Sequence, residues 1–238
     1  MRQHIDTIPV WDAFKTDCEC PLCELKQINE NNYVQSFTGG SVMEPDVRVE
    51  VNNKGFCARH FKMMMVDERR LGVALMADTY LRQTMARLGQ VSMAVQEAPV
   101  KKGSIFSRRP PTPEVDLSPI TDSCILCDRL NDTMDRYIYT TVHLWKKDPA
   151  FRSLYKDSKG FCLKHYAMLL KAAPEQMSGM DVKQFTDTTN ELEMKNLARI
   201  EEEIAWFTQK FDYRNADKPW GNSRDALPRT VQKLRGKE

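Results

Sequence analysis

Apolar side chains recur along this chain at three- and four-residue steps, the period of one face of an α-helix. Leu126, Leu130, Met134, Tyr137, Thr141 and Leu144 keep that step without a break. Asp148-Pro149 then reads as an N-cap with proline in the first helical position, predicting a short helix through Leu154 that stops before Gly160. A further helix begins near Cys162 and carries Met168 and Leu169. The longest helix is expected at about residues 181–211, with Leu197, Ile200, Ile204, Phe207 and Phe211 along one face. Its partner in the first half is expected at about 71–95, with Leu81, Met85 and Leu88 in the matching stripe. Sustained period-2 alternation is missing, and no Asn-Gly or Asp-Gly turn joins β-branched runs. The pattern predicts an all-α fold.

The chain also resembles itself. Cys20-x2-Cys23, Glu44-Pro45-x2-Arg48 and Lys54-Gly55-Phe56-Cys57-x2-His60 return as Cys124-x2-Cys127, Asp148-Pro149-x2-Arg152 and Lys159-Gly160-Phe161-Cys162-x2-His165. The first legs agree in length: Cys23 to Pro45 and Cys127 to Pro149 are both 22 positions. Only the last leg differs, Arg48 to Lys54 being six positions and Arg152 to Lys159 seven, which is one inserted loop residue. Two tandem pseudo-repeats of a helical unit follow from this register. Residues 1–97 form the first metal-binding repeat and 119–211 the second. Residues 98–118 between them, with Pro99, Pro110, Pro111 and Pro113 and the pairs Lys101-Lys102 and Arg108-Arg109, read as a linker. Residues 212–238 form a polar tail with seven Lys or Arg against four Asp or Glu. The linker and tail charges are expected to be solvated.

Composition narrows the class. At 238 residues with 41% hydrophobic side chains the chain is long enough for one large domain or two modest ones. A net charge of +2, from 35 basic against 33 acidic residues, gives no electrostatic case for nucleic acid or an anionic membrane. No apolar run approaches the length of a membrane span, and the start at Met1-Arg2-Gln3-His4-Ile5-Asp6 lacks a signal-peptide core. The expected compartment is the cytoplasm, where the seven cysteines stay reduced. Their spacing points to metal instead of disulfides.

Structural zinc takes four ligands in a tetrahedron, drawn from Cys thiolate and His imidazole. Two ligands separated by two residues bind one ion from a single helix start, and a second distant pair completes the sphere. Each repeat holds one such set, so each is expected to be clamped by its own Cys3His site: Cys20, Cys23, Cys57 and His60 in the first, Cys124, Cys127, Cys162 and His165 in the second. Two zinc ions per chain follow, with an iron–sulfur cluster on the same ligands as the alternative. Four protein ligands leave no open position for a substrate, so the sites read as structural. Three thiolates and a neutral imidazole on a divalent ion leave a net −1, which helix N-termini and the nearby Lys54, Arg59, Lys159 and Lys164 would offset. Phe56 and Phe161 would keep water from the sulfurs, and each His should donate its other ring N–H to an acceptor that sequence does not identify.

Some residues fall outside the repeat. Cys18 faces Asp122 in the alignment of halves, and a four-ligand site has no need of a fifth sulfur. His4 and His143 are not expected to be ligands. Met63-Met64-Met65 suggests Cu(I), but consecutive helical residues point in different directions and cannot converge on one ion. Arg48 and Arg152 are expected to form salt bridges that hold their loops.

Cys-x-Leu-Cys-(Glu/Asp), (Glu/Asp)-Pro-x2-Arg and Lys-Gly-Phe-Cys-x2-His, each given twice, resemble a family of uncharacterised bacterial proteins, many from anaerobes, known only as a domain of unknown function. The resemblance implies a bacterial, cytoplasmic protein with paired Cys/His sites and brings no activity with it. No phosphate loop, nucleophile elbow or zincin motif is present, and no catalytic residues are assigned. The expected function is a non-enzymatic zinc-binding helical protein, an interaction or scaffold module for a protein partner. A redox- or metal-responsive protein and a zinc-supported nucleic-acid binder are the alternatives; the oligomeric state is open.

Overall fold

The computed structural model describes residues 2–97 and 115–237, so residues 98–114 of the expected linker, with its prolines and basic pairs, lie outside the described residues. Every regular element among the described residues is helical. In chain order these are α1 (Arg2–Lys15), α2 (Pro21–Thr38), α3 (Pro45–Lys54), α4 (Ala58–Met64), α5 (Arg70–Glu97), α6 (Ser118–Thr121), α7 (Ile125–Lys147), α8 (Pro149–Asp157), α9 (Leu163–Gln176), α10 (Met180–Gln209) and α11 (Ala226–Arg235), with short 3-10 turns between some of them. No helix among them is long and apolar enough to cross a membrane.

The chain forms two compact units, one of residues 1–29 with 131–238 and the other of residues 30–130. The boundaries fall inside α2 and α7, so each of these helices begins in one unit and ends in the other.

In the unit of residues 30–130, α3 and α4 pack on α5. The core gathers Val34 and Phe37 from α2, Val47 and Val51 from α3, Phe56 and Met64 around α4, and Val73 and Met76 from α5. Ile125 and Leu126 close it from the start of α7. The three consecutive methionines part ways as helical geometry requires, Met64 being fully buried and Met65 exposed. The stripe expected to bury α5 is corrected: Leu81, Met85 and Leu88 are 60%, 64% and 44% exposed. α5 meets α3 through Thr79 and Arg87 and buries Val73 and Met76, so the Leu81, Met85 and Leu88 face of the same helix is left uncovered among the described residues.

In the unit of residues 1–29 and 131–238, the α7 stripe is buried as its spacing predicts, through Met134, Tyr137, Thr141 and Leu144. Each such large side chain withdrawn from water contributes about 1.5–3 kcal/mol before entropy is charged against it. Around it Phe14, Phe151, Tyr155, Phe161, Trp145 and Phe185 form a chain of ring contacts with centroids 5.0–6.0 Å apart. Asp148 caps α8 as expected, its carboxylate accepting from the N–H groups of Ala150 at 2.9 Å and Phe151 at 3.3 Å.

Two expectations for this unit are corrected. The inward face of α10 consists of Phe185, Thr189, Leu192, Glu193, Asn196 and Ile200; Leu197, Ile204 and Phe207 are only partly buried, and Phe211 is exposed beyond the helix end. Counting apolar residues alone misplaced this face, because half of it is polar. The tail is also not uniformly solvated. It folds into α11, which packs on α9 and α10 and brings Lys233 to full burial.

Arg48 and Arg152 hold their loops, but through carbonyls in place of carboxylates. Arg48 donates to the Leu75 carbonyl and the Thr79 hydroxyl, both at 3.0 Å. Arg152 donates to the carbonyls of Trp145 and Lys146 at the C-terminus of α7 and stacks its guanidinium over the Trp145 ring at 4.4 Å. A cation there also meets the negative end of the α7 dipole.

Candidate metal centres

Four cysteines each begin a helix. The carbonyls of Cys20, Cys57, Cys124 and Cys162 accept the first turn-closing bonds of α2, α4, α7 and α9, from Glu24, Phe61, Asp128 and Tyr166. Cys23, His60, Cys127 and His165 lie three residues on, in the first turn, so each pair presents two donor atoms from one helix N-terminus. Helix N-termini favour negative charge, which is what a thiolate-rich centre carries.

Two such N-termini converge at each centre, and their partnership corrects the expected one. Cys20 and Cys23 stand with Cys162 and His165, while Cys57 and His60 stand with Cys124 and Cys127. Each set therefore takes one pair from each sequence repeat, and neither repeat is clamped by a site of its own. The physical reason lies in α2 and α7. An 18-residue helix such as α2 extends about 27 Å. Its start, with Cys20 and Cys23, belongs to one compact unit, while the half from Glu30 onward packs in the other with α3 and α4. Within that second unit His60 meets α2 at Glu30. The ligand pair opening α7 joins Cys57 and His60 there instead.

The spacing of the donor atoms matches one ion. A tetrahedron of Cys sulfurs at about 2.3 Å and His nitrogen at about 2.0–2.1 Å has edges of about 3.8 Å between sulfurs and about 3.6 Å between sulfur and nitrogen. In the first centre His165 Nδ1 lies 3.4, 3.5 and 3.3 Å from the sulfurs of Cys20, Cys23 and Cys162, and Cys23 lies 3.6 Å from Cys162. In the second His60 Nδ1 lies 3.2, 3.2 and 3.4 Å from Cys57, Cys124 and Cys127, and Cys57 lies 3.9 Å from Cys127. Within each group all donor atoms are within 4.8 Å of one another. These residues fit a single metal ion held through Nδ1.

Without a cation such a cluster has to share protons. In the first centre burial drives the Cys20 thiol well above its ordinary range. Hydrogen bonds from Cys20 and Cys23 hold Cys162 far below it. In the second, burial opposes ionisation of Cys124, but the hydrogen bond with His60 overrides it and brings the thiol down to about 6. Burial works against the charge on His60 as well, yet its bonds to Cys124 and Glu30 raise the imidazole to about 9. A divalent ion displaces those protons and takes over the neutralisation.

The surroundings supply what sequence left unnamed. His60 holds its Nε2 2.9 Å from Glu30 Oε1, and Arg59 donates to the other Glu30 oxygen at 2.7 Å. With Nδ1 on a metal, Nε2 carries the proton and donates, fixing the ring as metal-bound imidazoles require. Glu30 is an acid in mid-helix on α2, and nothing in its spacing marks it. Three of the four cations expected to offset thiolate charge are engaged elsewhere: Lys54 pairs with Asp128, Arg59 with Glu30 and Lys159 with Asp17. Phe56 and Phe161 are buried in ring clusters, anchoring the loops ahead of Cys57 and Cys162.

Those two loops turn at Gly55 and Gly160, where φ is +63° and +77°. A Cβ on Gly55 would stand 2.3 Å from the Tyr80 ring, and one on Gly160 2.7 Å from Glu193 Oε2. Glu193 accepts the Phe161 N–H at 2.8 Å, and Lys233 donates to the carbonyls of Lys159 and Phe161. The loop carrying Cys162 is therefore held by a buried acid from α10 and a buried base from α11. Burial pushes the Glu193 carboxyl up and the Lys233 ammonium down. Glu19 stands 3.9 Å from the same ammonium and accepts from Arg199 at 2.5 Å. Beyond this network, the Lys237 ammonium donates to Glu24 at 2.8 Å.

Cys18 joins neither group; it is partly buried, and burial raises its thiol to about 11. His143 stacks on Tyr139 at 6.4 Å and also joins neither.

Over residues 1–238 the chain matches the model of a family of unknown function, DUF6062, and it belongs to that family. No curated protein and no solved structure matches it.

Proposed function

We propose that this chain is a zinc-dependent helical scaffold: two structural zinc ions pin four helix N-termini, and the molecule works by presenting surface to a protein partner. The donor spacing carries the metal part of this reading. Each set is closed by four protein ligands at the edge lengths of one tetrahedral ion, which leaves no coordination position for a substrate. An iron–sulfur cluster needs its ligands outside a core of several atoms, and donor atoms within 4.8 Å of one another are too close for that. Three sulfurs and one nitrogen in this arrangement suit zinc.

The exposed side of α5 supports the partner part. Leu81, Met85 and Leu88 follow helical spacing and face solvent, with Met93 and Val95 also exposed further along. An apolar stripe on the uncovered face of a helix whose other face packs on α3 fits a partner presenting an apolar helix face. All seven cysteines are free, which supports a reducing compartment such as the cytoplasm.

Elemental analysis and a visible spectrum of anaerobically purified protein test the reading. Two zinc ions per chain, one for each Cys3His set, and no colour are expected. Iron with sulfide and a brown solution would overturn it.

A further inference from the structure

The two centres have the same ligands and unequal cover. In the first, all four ligands are buried, with Cys20, Cys23, Cys162 and His165 at 0%, 1%, 0% and 3% exposure. Gly236 lies against it: a Cβ there would stand 3.7 Å from the Cys162 sulfur and 3.9 Å from that of Cys23. In the second, His60 and Cys124 are buried while Cys57 and Cys127 are partly exposed. Their sulfurs are neighbours at 3.9 Å, so the two less buried residues share one edge of the donor set.

We infer that the Cys57–His60–Cys124–Cys127 centre is an exchange site, taking up and releasing a zinc-like divalent cation, while the Cys20–Cys23–Cys162–His165 centre keeps its ion as long as the fold stands. This rests on the zinc reading above and adds a metal-responsive role to it. Tetrahedral zinc can expand to five ligands, so a competing donor that reaches the Cys57–Cys127 edge binds before a thiolate leaves. The exchange is a substitution with no change of oxidation state. Donor atoms of the acceptor would replace the thiolates of Cys57 and Cys127 first and then Cys124 and His60 Nδ1, each departing thiolate taking a proton from solvent. The buried centre offers no such edge and must first open locally.

Exposed ion pairs supplement the Ile125 N–H to Gly55 carbonyl bond beside the second centre. Lys54–Asp128 and Arg129–Glu50 join α3 to the start of α7, and their side chains are between 34% and 53% exposed. Ion pairs this exposed are weak and screened by salt. Exchange at the second centre is therefore expected to quicken as salt rises.

The test uses the full chain loaded with zinc under anaerobic conditions. The acceptor is the indicator 4-(2-pyridylazo)resorcinol, and N-ethylmaleimide traps freed thiols for mapping by mass spectrometry. Two phases of equal amplitude are expected, the faster by at least about tenfold because it needs no local opening. Alkylation of Cys57 and Cys127 should accompany the fast phase, and salt should accelerate it. A single phase, or alkylation of Cys20, Cys23 and Cys162 during the first release, would overturn the inference while leaving two structural zinc ions in place. A chain that holds no zinc at the outset would overturn both this inference and the function it builds on.

Discussion

Replacing Glu30 with Ala should weaken one metal centre and spare the other. Glu30 is 3% exposed and His60 is 2% exposed, and their bond is 2.9 Å long. A buried hydrogen bond to a charged group contributes about 1.5–3 kcal/mol. The Arg59 contact adds little, because Arg59 is 41% exposed and solvent screens it. Removing the acceptor behind a metal-bound imidazole lowers metal affinity by about 10–100-fold, or about 1.4–2.7 kcal/mol, so the two estimates agree. Titration of the zinc-loaded variant against a graded chelator should show one equivalent weakened by that factor and the other unchanged. Glu30→Gln, which keeps an oxygen for the Nε2 proton, should lose less. If Glu30→Ala releases both ions at wild-type chelator concentrations, the role assigned to the His60–Glu30 bond is wrong.

Lys233→Met should destabilise the fold by about 3–5 kcal/mol by leaving Glu193 without its buried cation, while Glu19 keeps Arg199 and Arg229, with a lowered urea midpoint as the readout. Adding Glu193→Gln should recover part of that loss. Gly160→Ala should cost about 1–3 kcal/mol and exceed Gly179→Ala in thermal melts: both have positive φ, but only Gly160 would put its Cβ against Glu193, and nothing lies within 4 Å at Gly179. Cys18→Ser should keep both metal equivalents by elemental analysis, since Cys18 belongs to neither ligand group.

Much of this molecule is readable in its residues. The α7 stripe, the Asp148-Pro149 helix start and the placing of eight Cys and His side chains at helix N-termini all follow local rules, and local rules act within a turn or two. What escapes is decided at long range. Both repeats carry the same Cys-x2-Cys and Cys-x2-His pairs, so either pairing fills two Cys3His spheres, and chain proximity favours the wrong one. Only the path of α2 and α7 between units separates the alternatives. The inner face of α10 escaped for another reason. Glu193 is buried because Lys233 and the Phe161 amide meet it, and partners from distant segments leave no periodic mark, while Asn196 donates to the Leu192 carbonyl one turn back in α10. The Leu81, Met85 and Leu88 stripe has the spacing of a core face, yet spacing cannot say whether anything of this chain covers it.

The pairing of ligands across the repeats is best tested by counting zinc in two double variants. Cys23→Ser with Cys162→Ser strikes one group twice, and Cys23→Ser with Cys57→Ser strikes both groups. The structure predicts that the first variant keeps one of its two zinc ions and the second keeps neither. The reverse, no zinc in the first and one ion in the second, would contradict it and return each site to a single repeat.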